Sequence, residues 1–271
     1  MICDEHPCYA SVSIKRNINK MGTKFDAMLA CRVTGTRLYG KPLQLIDIEK
    51  QITILEYLVA YIRQSKYIDS ICLAIADEKE NYGIADLAEK NGWNYVFGDT
   101  VDVLGRILKA VDKFDTQMVF RITTDCPFMY HEHLDELYEQ HIRGDYDLSK
   151  FSELPEGAGY SIMKAEALRT CHIKGISRHK SELVNSYIFD HQDEFKLNIQ
   201  KPDEKLRRPE VRVTVDYPED LVFCRKVYTA LSGRERCIPI ADIIDYWDNN
   251  EESRRPLEEI GIDWGHGRLW A

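Results

Sequence analysis

Apolar stretches and amphipathic stretches alternate along the chain from Phe25 onward. The first apolar stretch, FDAMLAC over Phe25–Cys31, is typical of a buried strand. Three further stretches of strand length follow it, namely SICLAIA from Ser70, WNYVF from Trp93 and QMVFRI from Gln117. Residues at helical spacing lie between and after these strands and predict helices over 52–62, 82–92, 102–114 and 131–144. This β-α alternation predicts a mostly parallel, Rossmann-like α/β sheet with helices on both faces.

The alternation becomes less regular beyond Asp145, where Pro155, Gly157 and Gly159 interrupt the chain. The predicted elements of this half are a strand over 160–163, a helix over 178–190, strands over 195–199 and 211–215, and a helix after Pro218. We interpret residues 145–210 as a small insertion, after which the chain returns to the main sheet at Val211. The predicted organisation is an N-terminal extension over 1–24, one α/β domain over 25–231, and a C-terminal helix and tail over 232–271.

The composition fits one large α/β domain, because the chain has 271 residues of which 44% are hydrophobic. No stretch approaches the roughly 18 consecutive apolar residues that a membrane span needs, and the N-terminus lacks the apolar centre of a signal peptide. The eight cysteines are scattered, several of them in apolar stretches, as expected of reduced thiols. The sequence therefore predicts a cytoplasmic protein that has no membrane partner.

The net charge of −9 argues against a nucleic-acid partner, because general nucleic-acid binders present basic surfaces to the phosphates. Any phosphate must then be held by a local cluster of cations. The loop after the first predicted strand is such a cluster, since it combines two glycines with Arg32, Arg37 and Lys41. Ligands of open α/β sheets bind at the carboxyl ends of the strands, which makes this loop a candidate phosphate site.

The same loop has two competing interpretations. Gly35–Lys41 satisfies most of the P-loop pattern, but a P-loop needs Ser or Thr after the lysine to hold Mg²⁺. Pro42 has no hydroxyl and leads into a segment that is not helical, which argues against a P-loop kinase or ATPase. A solvated surface loop without a ligand is the other interpretation, and the loop alone leaves it open.

Two carboxylates are expected to lie close to that loop. Asp125 follows the predicted strand QMVFRI, and Asp216 ends the β-branched stretch VRVTV. Since the carboxyl ends of parallel strands share one edge of the sheet, both carboxylates are predicted at that edge, where Mg²⁺ commonly takes one or two protein carboxylates. Asp125 has a competing interpretation as a helix cap, and Asp102 is explained equally well by capping and by ligand contact.

Four motifs carry a family resemblance. Six residues match the signature R-x-x-S-T-R-L-P-G-K: Arg32, Thr36, Arg37, Leu38, Gly40 and Lys41. The segments 98–106, 121–127 and 212–221 are similar to G-x-x-x-D-V-L-x-R, R-I-T-G-D-C-P and R-x-T-V-D-x-P-E-D-L. From about Phe25 to Leu231 the chain thus resembles cytidylyltransferases of the spore-coat-polysaccharide and CMP-sialate/CMP-Kdo synthetase type. It departs from their signature at Tyr39, where the family usually has Pro.

The resemblance implies a nucleotidyltransferase domain that moves CMP from CTP to a sugar or sugar-like acid, releases pyrophosphate and feeds surface glycan biosynthesis. It implies that Asp125 and Asp216 bind Mg²⁺ and that, with Arg32 and Lys41, they are catalytic. The nucleotide-binding residues that it implies are Arg32, Thr36, Arg37, Gly40, Lys41, Asp102, Arg106, Arg121 and Thr123.

The resemblance also implies that residues 145–210 face the acceptor, since Pro155-Glu156-Gly157 and the segment 178–182 resemble family motifs there. The acceptor itself stays open. A glycosyltransferase is the main alternative enzyme, and it would be expected to carry a D-x-D motif after a strand and no loop rich in Arg and Lys. The D-x-D triplet of this chain, Asp145-Tyr146-Asp147, instead precedes the neighbouring apolar residue. A non-catalytic nucleotide-binding module is the second alternative. The tail with Trp264 and Trp270 packs either on the body or on a second subunit, which leaves a homodimer open.

Overall fold

The computed structural model describes residues 22–35, 37–233 and 237–259. The strands in these ranges are β1 Phe25–Cys31, β2 Leu45–Asp47, β3 Ile52–Thr53, β4 Ser70–Ala76, β5 Asn94–Gly98, β6 Met118–Arg121, β7 Leu148–Phe151, β8 Ser161–Lys164 and β9 Leu197–Gln200. The α-helices are α1 Ile54–Ile62, α2 Tyr82–Asn91, α3 Val103–Phe114, α4 Leu134–Gly144, α5 Ala165–Lys174, α6 Ser186–Asp190, α7 Pro218–Leu231, α8 Ile240–Asn249 and α9 Glu251–Glu259.

Within the described ranges, seven strands form the main sheet in the order β5-β4-β1-β6-β8-β7-β9. β1 pairs in parallel with β4 and β6, and β4 pairs in parallel with β5. β8 is antiparallel to both β6 and β7, so β7 and its parallel neighbour β9 point the same way as β6. β2 and β3 form a separate antiparallel pair. The mostly parallel α/β class predicted from the sequence is confirmed.

Helices cover both faces of the sheet, as predicted. Phe25, Ala27 and Leu29 of β1 point into the core on one face, where α1, α2, α4, α7 and α8 pack. Met28 points into the core on the opposite face, where α3, α5 and α6 pack. Strands that are buried on both faces have no polar side, which explains why β1 apart from Asp26, and β4 after Ser70, are continuous apolar stretches in the sequence.

The first half of the chain folds close to its predicted boundaries. The helix predicted from residue 52 begins at Ile54, because Thr53 is its N-cap and forms a capping box with Glu56. The α2 helix ends at the predicted left-handed cap, Gly92, which has a φ of 65°. Asp102 is the N-cap of α3, so the helix predicted from residue 102 begins one residue later.

Two elements between residues 145 and 175 have no counterpart in the sequence prediction. One is β7, whose four residues LSKF include the buried polar side chains of Ser149 and Lys150. The Ser149 hydroxyl lies 2.8 Å from Nδ1 of His141, and the Lys150 ammonium lies over the ring of Phe189. The other is α5. Strands β7, β8 and β9 all belong to the main sheet, so the region interpreted as an insertion extends that sheet.

The helix predicted over 178–190 is wrong. The structure has a 3-10 turn over Ser177–Lys180 and then, after a break, the short helix α6. The Ser181 hydroxyl donates a hydrogen bond to the carbonyl oxygen of Arg178, at 2.9 Å. Serine hydroxyls that bond to nearby backbone compete with helical hydrogen bonding, and the apolar spacing of this segment gave no sign of that competition.

The strand predicted over 211–215 is also wrong, and the chain does not return to the main sheet at Val211. The segment forms one isolated parallel bridge, between Arg212 and Glu156. Its backbone amides form hydrogen bonds outside the sheet. Val213 donates to the carbonyl oxygen of Glu156 and Val215 donates to that of Asp125, each at 2.8 Å. The β-branched residues are buried all the same, which explains why the segment resembles a strand.

Several expectations concern residues outside the described ranges, namely most of the extension over 1–24, Thr36, Trp264 and Trp270. Among the described residues, none of the helices is both long enough and apolar enough to cross a bilayer. The six cysteines in these ranges are buried free thiols, in agreement with the expectation of reduced cysteines.

Candidate active site

A cleft of about 210 Å³ opens at the carboxyl ends of β1 and β6. Five cationic side chains line it: Arg32, Arg37, Lys41, Arg106 and Arg121. Two carboxylates, Asp125 and Glu182, line it as well. The excess of cations makes the cleft a site for a strongly anionic ligand, in a protein whose net charge is −9.

The loop after β1 holds its cations in place through backbone contacts. The Val33 amide donates to Oδ1 of the buried Asn81 at 2.7 Å, and Asn81 in turn donates to the carbonyl oxygen of Ala76 at the end of β4. The Gly40 amide donates back to the carbonyl oxygen of Val33, and Gly40 has a φ of 65°, which favours glycine. Lys41 directly follows, in a 3-10 turn, and so projects from a fixed backbone position.

Lys41 joins the two predicted metal carboxylates. Its Nζ lies 3.2 Å from Oδ2 of Asp125 and 2.5 Å from Oδ1 of Asp216. Burial alone would lower the pKa of Lys41, but the two carboxylates outweigh burial and raise this pKa above its usual value. Burial likewise opposes ionisation of Asp216, yet Lys41, Arg37 and Arg212 hold the pKa of this carboxyl below its usual range. Asp125 and Asp216 are therefore at one place, as predicted.

A backbone contact brings these two carboxylates together. The amide of Val215 donates to the carbonyl oxygen of Asp125, so the residue before Asp216 is tied directly to Asp125. The Arg37 guanidinium donates to Oδ1 of Asp216 at 2.8 Å and lies over the ring of Tyr217. Sheet pairing is thus not needed at residues 211–215 to place Asp216 against Arg37 and Lys41, which line the cleft.

The buried side chain of Arg212 fixes the orientation of Asp216. Its Nη2 donates to Oδ2 of Asp216 at 2.8 Å. Arg212 also bonds to both carboxylate oxygens of the buried Asp220 and to Oε2 of Glu156. Asp220 accepts the backbone amides of Asp216 and Tyr217 as well. The arginine and its carboxylates form a closed set of ion pairs that leaves the other oxygen of Asp216 facing Lys41.

Arg106 and Arg121 supply buried positive charge. Their exposed fractions are 2% and 6%, and the Nε of each has no hydrogen-bond partner among the described residues. Arg106 donates to the carbonyl oxygen of Asp99 at 2.7 Å, and Arg121 donates to those of Ile122 and Glu182. Burial lowers the pKa of both guanidinium groups. Buried arginines with hydrogen-bonding capacity to spare, facing a cleft, suit an anionic ligand.

Asp102 and Thr123 differ in their relation to the cleft. Asp102 accepts the Gly105 amide at 2.7 Å as the cap of α3, and its other oxygen lies 2.6 Å from Nε2 of His172. Both oxygens of Asp102 are engaged outside the cleft lining, so the geometry favours capping over ligand contact.

Thr123 lines the cleft, and its hydroxyl lies 2.9 Å from Sγ of Cys126. Burial raises the pKa of Cys126 above its usual value, which keeps this thiol neutral.

Sequence reasoning missed three residues of the site. Asn81 holds the loop after β1, and nothing in its surroundings in the sequence signals that role. Arg212 belongs to the motif that identified Asp216, so the motif itself carried the signal. Glu182 lies in the segment predicted as a continuous helix, and the wrong prediction hid its position at the cleft.

The D-x-D triplet lies at the other edge of the sheet. Asp147 immediately precedes β7, which points the same way as β6, so it lies at the amino ends of these strands. Asp145 and Asp147 both pair with Lys164, at 2.8 and 3.2 Å. The triplet is remote from the cationic cleft, so it cannot serve there as the metal-binding motif that a glycosyltransferase would need.

A mostly parallel α/β sheet with a cation-lined cleft and two carboxylates at its carboxyl edge is the arrangement expected of a nucleotidyltransferase. The sequence model of one group in that class, described as cytidylyltransferase, matches residues 27–238 of the chain. The chain therefore belongs to the cytidylyltransferase family and is a nucleotidyltransferase.

Similar proteins agree with this assignment. The spore coat polysaccharide biosynthesis protein SpsF of Bacillus subtilis is 24% identical over 236 residues, which span 85% of this chain and 97% of SpsF. A cytidylyltransferase from Leptospira borgpetersenii has a TM-score of 0.77 at 19% identity, covering 85% of this chain and 96% of its own. A CMP:2-keto-3-deoxy-manno-octonic acid synthetase complexed with CTP has a TM-score of 0.57 at 11% identity, with coverages of 77% and 99%. At these identities, the structural neighbours establish a shared fold.

Proposed function

We propose that the protein transfers CMP from CTP to a sugar or sugar-like acid in a Mg²⁺-dependent reaction that releases pyrophosphate. The oxygen of an acceptor hydroxyl forms a bond to the α-phosphorus and loses its proton to solvent, while the bond between the α-phosphorus and the α,β-bridging oxygen breaks and pyrophosphate leaves. Such a reaction depends chiefly on positioning and on charge stabilisation, and the cationic cleft offers both. The family assignment and the neighbour complexed with CTP support cytidine triphosphate as the donor.

The observation that carries the proposal is the position of Lys41 between Asp125 and Asp216. Two carboxylate oxygens lie within 3.2 Å of the Lys41 ammonium nitrogen. They form a site of hard oxygen donors in which the positive charge of the lysine is already bound. Among the described residues no group of three or more His, Cys, Asp or Glu could hold a metal ion. A site of two carboxylates fits Mg²⁺, which commonly takes one or two of them and completes its coordination with water and phosphate oxygens.

Asp125 and Asp216 are therefore the residues that would hold the ion. Bound Mg²⁺ would supply neutralisation of phosphate charge as it builds up during transfer. The side chains have separate tasks in this proposal: Lys41, Arg37 and Arg32 hold the triphosphate from the loop after β1. Arg106 and Arg121 keep positive charge in the wall of the cleft, and Arg212 keeps Asp216 oriented.

The acceptor and the biological role rest on the relatives. SpsF is named for spore coat polysaccharide biosynthesis, and the CTP-bound neighbour is named for a sugar acid. We infer that the acceptor is a sugar or sugar-like acid, and that the product feeds the synthesis of a surface glycan.

Pyrophosphate release tests this function. ATP, CTP, GTP and UTP are each incubated with the protein and with a panel of sugars and sugar acids, in Mg²⁺ or in EDTA. We expect release with CTP to exceed that with every other nucleotide by at least about tenfold, and to stop in EDTA. A different preferred nucleotide, or equal release in EDTA, would contradict the proposal.

A further inference from the structure

The first turn of α3 places a cation of the cleft beside a carboxylate. Arg106 lines the cleft, and Asp102, four residues earlier, is the N-cap of the helix. Residues four apart are neighbours on a helix, and opposite charges at this spacing attract each other. Arg106 instead donates to the carbonyl oxygen of Asp99, and no ion pair joins it to Asp102 among the described residues.

His172 of α5 explains why these two neighbours do not pair. Its Nε2 lies 2.6 Å from Oδ2 of Asp102, and Nε2 is the donor because a carboxylate only accepts hydrogen bonds. The other carboxylate oxygen, Oδ1, accepts the Gly105 amide at 2.7 Å. Both oxygens of Asp102 therefore have partners other than Arg106.

Two glycines leave the space that this arrangement needs. A Cβ at Gly105 would lie 2.8 Å from Cγ of Asp102, so the carboxyl group is packed directly against the helix backbone. A Cβ at Gly98, the last residue of β5, would lie 2.9 Å from Cγ of Arg106. The guanidinium thus crosses the end of β5 on its way to the cleft. Its Nε is buried and has no hydrogen-bond partner among the described residues.

We infer that His172 is a positioning residue for the nucleotide, because it holds Asp102 and thereby keeps Arg106 available in the wall of the cleft. This inference rests on the proposed function, since it takes the ligand of Arg106 to be CTP. Without the imidazole donor, Oδ2 of Asp102 would lose its partner, and Arg106 on the same turn would replace it. The resulting ion pair would turn this cation away from an anionic ligand.

Calorimetry of CTP binding in Mg²⁺ tests the inference. His172→Phe keeps an aromatic ring but removes the donor, and we expect CTP to bind about tenfold more weakly, because one charge-assisted contact to the ligand is lost. His172→Gln keeps a side-chain N–H donor and should stay within about threefold of the wild type. Adding Asp102→Asn to His172→Phe should also restore the affinity to within about threefold, because Asn caps the helix without a charge that attracts Arg106.

Arg169→Met is the matched control for the packing of α5 on α3. Arg169 also joins the two helices, through an ion pair with Asp112 in the last turn of α3, and neither residue lines the cleft. The control should leave the CTP affinity unchanged. The inference is wrong if His172→Phe binds CTP like the control, or if Asp102→Asn does not reverse the loss. A wild type that binds no CTP would instead overturn the proposed function, and the inference with it.

Discussion

Lys41 has two carboxylate partners in the free protein, and a bound triphosphate would compete for the same ammonium group. We expect Lys41→Ala and Arg32→Ala each to weaken CTP binding by about ten- to hundredfold, because each removes a charge-assisted contact to phosphate. CMP binding should change much less, because CMP lacks the β- and γ-phosphates. Calorimetry with both ligands measures the difference, after melting curves have shown that the variants are folded.

Equal losses for CTP and CMP would place these two cations on the α-phosphate or the ribose. An unchanged affinity for both ligands would show that the loop after β1 is a solvated surface loop without a ligand.

The two carboxylates are expected to act through charge rather than through packing. Asp125→Asn and Asp216→Asn should each lower kcat at least about a hundredfold at saturating CTP and Mg²⁺, since each removes a predicted ligand of the metal. Asn keeps the shape of the side chain, so circular dichroism should report an unchanged fold. Near-normal turnover of either variant at high Mg²⁺ would show that its aspartate is not a metal ligand.

At the scale of elements, the turn at residues 155–157 is clamped to the segment that carries Asp216. Gly157 has a φ of +97°, and a Cβ at this position would lie 2.6 Å from the backbone nitrogen of Thr214. We expect Gly157→Ala to reduce the free energy of unfolding by about 1–3 kcal/mol and to lower turnover, because the strain falls next to Asp216. Urea unfolding and pyrophosphate release measure the two effects.

Gly159→Ala is the matched control for that turn. A Cβ at Gly159 would meet no other atom within 4 Å, and its φ lies outside the left-handed region. The control should leave stability within about 0.5 kcal/mol of the wild type. Equal effects of the two substitutions would mean that the turn is not coupled to Asp216.

The elements that sequence reasoning found are those whose apolar pattern is continuous. β1 and β4 are buried on both faces, and the buried side of α3 is apolar apart from Arg106, so their patterns are unambiguous. β7 was missed because two of its four residues are polar and are satisfied by tertiary contacts that no local pattern reveals. Residues 211–215 were misassigned because burial selects β-branched residues whether or not their backbone joins a sheet.

The site was predictable where motifs place charge at strand ends. Asp125, Lys41 and the cations of the first loop come together as the parallel sheet requires. The contribution of Glu182 depends on a broken helix, and that of Asn81 on a long-range hydrogen bond, so neither could be derived from spacing along the chain.

At the scale of the whole molecule, ligand binding should be measurable as an increase in Tm. Mg²⁺ alone competes with Lys41 for the two aspartates, so we expect it to change Tm by less than about 1 °C. CTP together with Mg²⁺, at about 100 times Kd, should add about 2.7 kcal/mol and raise Tm by roughly 5–10 °C. Thermal melts with Mg²⁺, with CTP in EDTA and with both measure this linkage.

The variant Lys41→Ala provides the internal comparison for these melts. Once the ammonium group is gone, Mg²⁺ alone should stabilise the variant more than it stabilises the wild type. A large effect of Mg²⁺ on the wild type without nucleotide would show that Lys41 does not compete with the ion.

The hydrogen bond between the Val215 amide and the Asp125 carbonyl joins parts of the chain that are far apart in sequence. The intervening residues include β7, β8 and β9, so the loop that this contact closes contains nearly half of the main sheet. Contacts of high sequence separation form late in folding, because the entropy of loop closure opposes them until the enclosed chain is ordered. A nascent chain can therefore complete the cationic loop after β1 long before it can complete the pair of aspartates. Under the proposed function, catalytic competence would then require that the half of the sheet synthesised last is in place.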